Sequence, residues 1–285
     1  MQVSAIFRLL LLAAIWGGSF VFLRIVTPVL GPIITADLRV LIAWAVLKIY
    51  LRIIGIDMAW RRFWKQYLVI GAFNAALPFF LFAFAALYIP DSYSAILNAT
   101  SPFFGAFFAC VWLSEKITVL KSLGFVLGIA GVGLVTGVAP DAVDGLAKRA
   151  MAACLLAAAS YGFVSVYAKR FAAATDPRAI AGGSQLMAGL LLLPFTPLAP
   201  PAGSVTLFIA VNMIVFALLS SGVAFLLYFR LIADIGPTKA LTVTFLMPAF
   251  TMIWAGLFLN EKITAVMIVG GVLILAGTAL VVVRK

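Results

Sequence analysis

Leu113-Ser114-Glu115-Lys116-Ile117-Thr118 returns 146 residues later as Leu259-Asn260-Glu261-Lys262-Ile263-Thr264. The copies continue into apolar segments whose glycines keep register, Gly124 with Gly270 and Gly131 with Gly277. At that offset twelve of the 23 positions from Leu113 to Val135 are identical. Chance likeness between greasy segments would not also place a Glu-Lys pair at the same break, so the chain carries an internal duplication. It reaches the start of each half. Ala13-Ala14-Ile15-Trp16-Gly17 and Val21-Phe22-Leu23-Arg24 align with Ala158-Ala159-Ser160-Tyr161-Gly162 and Val166-Tyr167-Ala168-Lys169 at an offset of 145.

The 285 residues are 65% hydrophobic and 10% charged. Soluble chains carry about 25% charge, so this composition cannot cover a water-facing surface and specifies an all-α polytopic membrane protein. Apolar stretches of about 20 residues, enough to cross a hydrocarbon core, recur between short polar joints. They fall near 5–27, 34–54, 66–87, 92–113, 119–138, 147–169, 180–199, 207–230, 238–259 and 264–283, which makes ten. The first is long enough to span and lacks a small-residue cleavage site, so it reads as a retained helix and not a cleaved signal. Pro78, Pro102 and Pro248 fall inside spans. A proline frees backbone groups that must find partners inside the protein, so these are candidate kinks or gates beside an interior space.

The net charge of +11 is not a nucleic-acid signature, because the basic residues sit at the ends of apolar runs. With the amino terminus inside, fifteen fall on the inner side. Five fall outside: Arg24, Arg39, Lys148, Arg149 and Lys262. This positive-inside bias puts both termini in the cytoplasm of an inner-membrane protein in contact with lipid. The repeat unit is then five helices, over 5–138 and 147–283. An odd unit repeated once inserts in opposite senses, the inverted arrangement used by secondary transporters.

On these residues the chain resembles the EamA-type carriers of the drug/metabolite transporter superfamily. Trp16-Gly17-Gly18-Ser19-Phe20 is similar to that family's first-helix signature, Asp37-Leu38-Arg39 to its second-helix arginine, and the two Glu-Lys-Ile-Thr segments to its glutamate motif. The resemblance implies ten helices in two inverted repeats around a central cavity and export of amino acids, metabolites or toxic compounds; it permits a homodimer. The second half departs from the pattern, with Ser184-Gln185 where the arginine would fall and Tyr161 in place of the tryptophan.

Arg39 has three readings: a cavity or gate residue meeting a solute carboxylate, an ion pair with Asp37, or a side chain snorkelling to the interface. Trp16 and Phe20 share a helix face and are cavity candidates or packing residues. The amides of Asn74, Asn98, Gln185 and Asn212 need partners in hydrocarbon, which a solute or a neighbouring helix supplies equally well. Of these, Asn74, Asn98 and Gln185 are kept as cavity candidates. Tyr88, Tyr93 and Tyr228 lie near span ends, where an aromatic belt is the default. Glu115, Lys116, Glu261 and Lys262 stand at helix ends, each glutamate beside a lysine, and read as a structural turn motif and not as coupling carboxylates. Gly124, Gly128 and Gly131 form a small-residue face for packing within the chain or between two chains.

No histidine is present, which removes imidazole catalysis and imidazole metal ligation; the two cysteines, Cys110 and Cys154, read as small hydrophobes. Neither a metal nor a cofactor is expected. An enzyme is disfavoured, since Ser220-Ser221-Gly222 has no base to activate it, and no phosphate loop for ATP is present. The expected function is a secondary transporter moving a small organic metabolite, such as an amino acid, by alternating access and as an exporter. A channel-like permeation protein and a non-transporting structural membrane protein are the alternatives.

Overall fold

Gly31 breaks what would otherwise be one helix of 51 residues. In the computed structural model, which describes residues 3–114, 118–137, 145–235 and 243–282, α1 runs over Val3–Ile53 and is non-helical at Gly31 (φ 76°, ψ 160°). Unbroken, it would be about 75 Å long, more than twice a hydrocarbon core. The positive φ suits glycine. Pro32, which follows, cannot donate back into the preceding turn. The helices after α1 are α2 (Trp60–Gly71), α3 (Leu77–Ala85), α4 (Asp91–Asn98), α5 (Ser101–Leu113), α6 (Val119–Gly137) and α7 (Gly145–Phe171). They are followed by α8 (Pro177–Leu192), α9 (Leu207–Ala217), α10 (Ala224–Ile235), α11 (Val243–Leu259) and α12 (Ala265–Val282).

Two joints are π-helical. Ala72–Ala76 links α2 to α3, and Leu218–Val223 links α9 to α10. Their first residues are 146 apart, so the duplication seen in the sequence is also a duplication of backbone irregularity. The same holds at the repeated hexapeptide. Ser114 and Asn260 both take the left-handed conformation, at φ 53° and 52°. Thr118 and Thr264 then accept, through Oγ1, the backbone N–H of Lys121 and Met267, each at 3.3 Å. The motif thus ends one helix with a left-handed residue and starts the next with a threonine cap. Glu115 and Lys116 lie outside the described residues.

The glycine faces meet within the chain. A Cβ added at Gly124 would stand 2.6 Å from the Gly277 carbonyl, and one at Gly131 would stand 2.8 Å from that of Gly270. Since Gly124 corresponds to Gly270 and Gly131 to Gly277, each glycine touches the counterpart of the other, and α6 and α12 run antiparallel. A second reciprocal pair links the halves differently. Gly17 of α1 packs against Phe250 and Thr251 of α11, while Gly162 of α7 packs against Phe104 and Gly105 of α5.

Buried residues of both halves, including Phe20, Phe82, Ile96, Phe103, Cys154, Phe216 and Ile274, form one core. Among the described residues, six helical stretches are long and apolar enough to cross a membrane, and Val119–Val135, Val243–Leu259 and Ala265–Val281 are shorter apolar helices. Their outward faces carry exposed Phe107, Val126, Ile129, Leu257, Phe258 and Val272. Such a surface is stable only against lipid. The chain is an all-α polytopic membrane protein.

Candidate functional site

Arg39 is 7% exposed, in the arm of α1 that follows Gly31. Its Nε donates to Ser221 Oγ at 3.0 Å, and its guanidinium carbon lies 3.7 Å from the centroid of the Phe79 ring and 4.6 Å from that of Phe216. The charge is therefore held between two aromatic faces, a contact worth about 2 kcal/mol when water is excluded. Burial rules out snorkelling. Among the described residues no carboxylate pairs with Arg39; Asp37, 3% exposed, leaves Oδ1 without a partner.

Both π turns belong to this region. Ser221 and Ser220 lie in the second turn, and Asn74, half-buried, in the first. A π turn disturbs the regular backbone ladder, and such turns occur often at functional sites. Each has a carbonyl satisfied from the other half of the chain. Ser160 Oγ donates to Phe73 O at 2.6 Å, and Trp16 Nε1 donates to Ser220 O at 3.1 Å. Trp16→Phe keeps most of the packing against Phe225 and Tyr228 but leaves Ser220 O without this donor. It is expected to lower stability by about 1 kcal/mol, read as a lower midpoint of thermal unfolding in detergent.

An aromatic chain continues from the arginine. Phe216 stacks on Phe22 at 5.8 Å between centroids, and Phe82 lies edge-on to Phe20 at 5.6 Å and stacks with Tyr161 at 6.3 Å. Of the residues picked from the sequence, the structure places Phe20 and Arg39 in this assembly and Trp16 behind the second π turn. Gln185 is 1% exposed with Oε1 unpartnered among the described residues; it lies in the stretch of α8 that Gly71 touches, three residues before Asn74. Asn98 instead ends α4, where its carbonyl and Oδ1 accept from Ser101 Oγ at 2.7 and 3.3 Å. Asn212 is bonded within its own helix, to Phe208 O.

Pro78 starts α3 directly after the first π turn, Pro102 starts α5 after the break at Ala99-Thr100, and Pro248 is buried inside α11. Phe79, Phe216 and Phe82 carry no signal of their place in this assembly in the sequence, because nothing in a run of apolar residues tells which ones face a cation. Within Ser220-Ser221-Gly222, which as a nucleophile segment has no base, Ser221 Oγ instead accepts from Arg39 Nε.

A second polar cluster joins three elements at the end of the bundle that carries Gly31. Arg24 donates to the carbonyls of Ala86 and Ile89, and Glu261 Oε1 accepts the N–H of Ser92 at 3.3 Å. Glu261 also closes its own turn, its N–H donating to Ala255 O at 3.2 Å. Lys262 is exposed.

The chain matches the EamA-like transporter family model twice, over residues 3–137 and 148–283. It is 24% identical over 277 residues to the uncharacterized transporter YvbV of Bacillus subtilis, covering 95% of this chain and 88% of that one. It is 23% identical over 279 residues to the uncharacterized transporter YoaV of the same organism, covering 97% and 96%. Protein PecM of Dickeya dadantii is 24% identical over 270 residues, covering 94% and 88%. A solved structure described only as a crystal structure of a protein superposes with a TM-score of 0.68 at 17% identity, covering 98% of this chain and 96% of that one, which is a likeness of fold. With two matches to one family model that together span nearly its whole length, the chain belongs to the EamA-like transporter family.

Proposed function

We propose that this protein is a secondary carrier that moves a small organic metabolite bearing a carboxylate, such as an amino acid or a related compound, across the inner membrane by alternating access, as an exporter. The observation that carries the reading is Arg39. A buried guanidinium with two aromatic faces and one hydroxyl still has donors to offer, and a planar carboxylate matches them. Phe20, Phe82 and Tyr161 offer apolar surface for the rest of the solute, and Asn74 and Gln185 offer amides nearby. Trp16 and Asn98 support the walls of the path, and Pro78, Pro102 and Pro248 mark where its helices bend.

The proposed architecture is ten spans in two inverted units, 5–138 and 147–283, with Gly31 dividing the first two spans. Support comes from the reciprocal glycine contacts between α6 and α12, because corresponding helices that pack antiparallel belong to units of opposite sense. The matched π turns support it too. Positive charge at the joints supports cytoplasmic termini, which makes the Gly31 end the outer one. Two equivalent halves can then exchange roles, one end closing as the other opens, around a site that both contribute to.

The test is a screen in proteoliposomes for counterflow of labelled amino acids and related carboxylates. Saturable uptake driven by unlabelled solute inside is the expected result. Uptake that neither saturates nor responds to internal solute would instead indicate a channel.

A further inference from the structure

Between Arg178 and Arg230 the chain carries no charged residue. That stretch holds two helical segments long and apolar enough to cross a membrane, Pro177–Leu198 and Leu207–Tyr228, and the connection between them. The joint at 28–33, where Gly31 breaks α1, is free of charge too. The two uncharged joints touch. Ala202 donates its N–H to Val29 O at 2.8 Å, and a Cβ added at Gly203 would stand 3.8 Å from Val29 Cγ1. The connection thus supplies a donor to a carbonyl beside the break. Other joints at the same end do carry charge, Asp91 in one and Glu261 with Lys262 in another.

Composition and backbone together decide what surrounds this patch. Leu193–Leu198 winds as a 3-10 turn with no buried residue, and exposed side chains continue through Val205, Leu207 and Phe208. Leu198 is 79% and Leu207 81% exposed. Uncovered leucine, valine and phenylalanine with no charge among them are unfavourable in water. The hydrocarbon core is excluded for another reason. The backbone from Ala199 to Thr206 is irregular, and irregular backbone facing acyl chains leaves polar groups without partners. The sequence reduces that cost without removing it. Pro194, Pro197, Pro200 and Pro201 have no N–H to satisfy. Ala199 donates to Thr196 O at 3.3 Å, and Thr206 Oγ1 accepts from Ile209 N at 3.4 Å. Gly203 and Ser204 stay exposed. The layer between core and water meets both demands, since it offers apolar contact and hydrogen-bonding partners at one depth. A fitted protein partner would cover one face, whereas from Leu193 to Phe208 every residue but Thr196 and Ala199 is exposed.

We propose that this segment is an interfacial anchor. It lies in the headgroup layer of the leaflet at the Gly31 end, turns Phe195, Leu198, Val205, Leu207 and Phe208 to lipid, and through Ala202 ties the break in α1 to that depth. Its partner is the lipid surface itself, zwitterionic or anionic alike, because no charge in the segment selects between them. The arm of α1 that carries Arg39 starts from this tie. The anchor depends only on the membrane-spanning fold, so absence of counterflow would leave it standing.

Spin labels at Phe195→Cys, Leu198→Cys and Val205→Cys, one at a time in a Cys110→Ala, Cys154→Ala background, test it in proteoliposomes. Cys154 is retained where its removal prevents folding, since it is fully buried. Collision of the label with oxygen, which concentrates in lipid, is compared with collision with a neutral nickel chelate, which stays in water. The ratio should favour oxygen severalfold more at these positions than at Lys262→Cys, an exposed, charged position in another joint of the same end. It should be the same in phosphatidylcholine alone and in its mixture with phosphatidylglycerol. A ratio equal to that at Lys262→Cys puts the segment in water and overturns the anchor. Slow collision with both reagents means that protein covers the segment, a second copy included, and overturns it as well.

Discussion

Arg39→Ala is expected to abolish saturable binding of carboxylate-bearing solutes while leaving the chain folded. Truncating one partner of a buried, hydrogen-bonded charge pair costs about 2–5 kcal/mol, which is roughly 30-fold to several thousand-fold in affinity. Folding should survive because, without solute, the guanidinium is a buried charge with no carboxylate beside it among the described residues, so its removal relieves a cost as well as losing the contacts to Phe79, Phe216 and Ser221. Arg39→Lys should fall between the two. It keeps the charge but not the planar group that stacks between rings and offers paired donors. The check is the rise in unfolding temperature that a bound solute produces, measured for wild type, Arg39→Lys and Arg39→Ala. An unchanged rise in the alanine variant would remove Arg39 from the site.

Gly277→Val should produce a large loss of stability. Its Cβ would stand 2.6 Å from Gly124 O and 2.9 Å from Gly128 N, both backbone atoms that cannot rotate aside. Helices α6 and α12 would have to separate. Between helices in lipid, packing itself supplies much of the association, because no hydrophobic gain is available from leaving the tails. Overpacking of this kind costs about 3 kcal/mol or more, and loss of the folded, monodisperse protein from detergent extracts is the expected result. Gly133→Ala is the control. Nothing lies within 4 Å of a Cβ there, so the change should be neutral or stabilising by up to about 1 kcal/mol.

Much of the architecture was legible because the membrane imposes it. Hydrocarbon thickness fixes the length of an apolar run, and the repeated Glu-Lys-Ile-Thr fixes the register of the halves. The glycines of α6 were readable as a packing face, but only coordinates showed that they meet α12 of the same chain. Arg39 was legible because a cation amid apolar residues needs a reason. Its cage was not, since Phe79 and Phe216 look like any other of the 24 phenylalanines. The π turns were not legible as such, because Asn74 in Ala72–Ala76 and Ser220-Ser221-Gly222 in Leu218–Val223 mark polarity but not the extra residue per turn. Asp91 illustrates a different blindness. It reads as a residue in a polar joint until Glu261, 170 positions away, is seen against its neighbour Ser92.

Reciprocal motion of the two ends tests the alternating-access claim most directly. Spin labels at Tyr88 and Lys262 report the Gly31 end, the outer one in the proposed orientation, and labels at Ser114 and Arg230 the opposite, inner one, all four positions being exposed. Distances measured in proteoliposomes with and without a solute that shows counterflow should change in opposite directions, the outer pair separating as the inner pair closes. Both distances unchanged, or both lengthening together, would contradict a carrier that works by exchanging the states of two inverted halves.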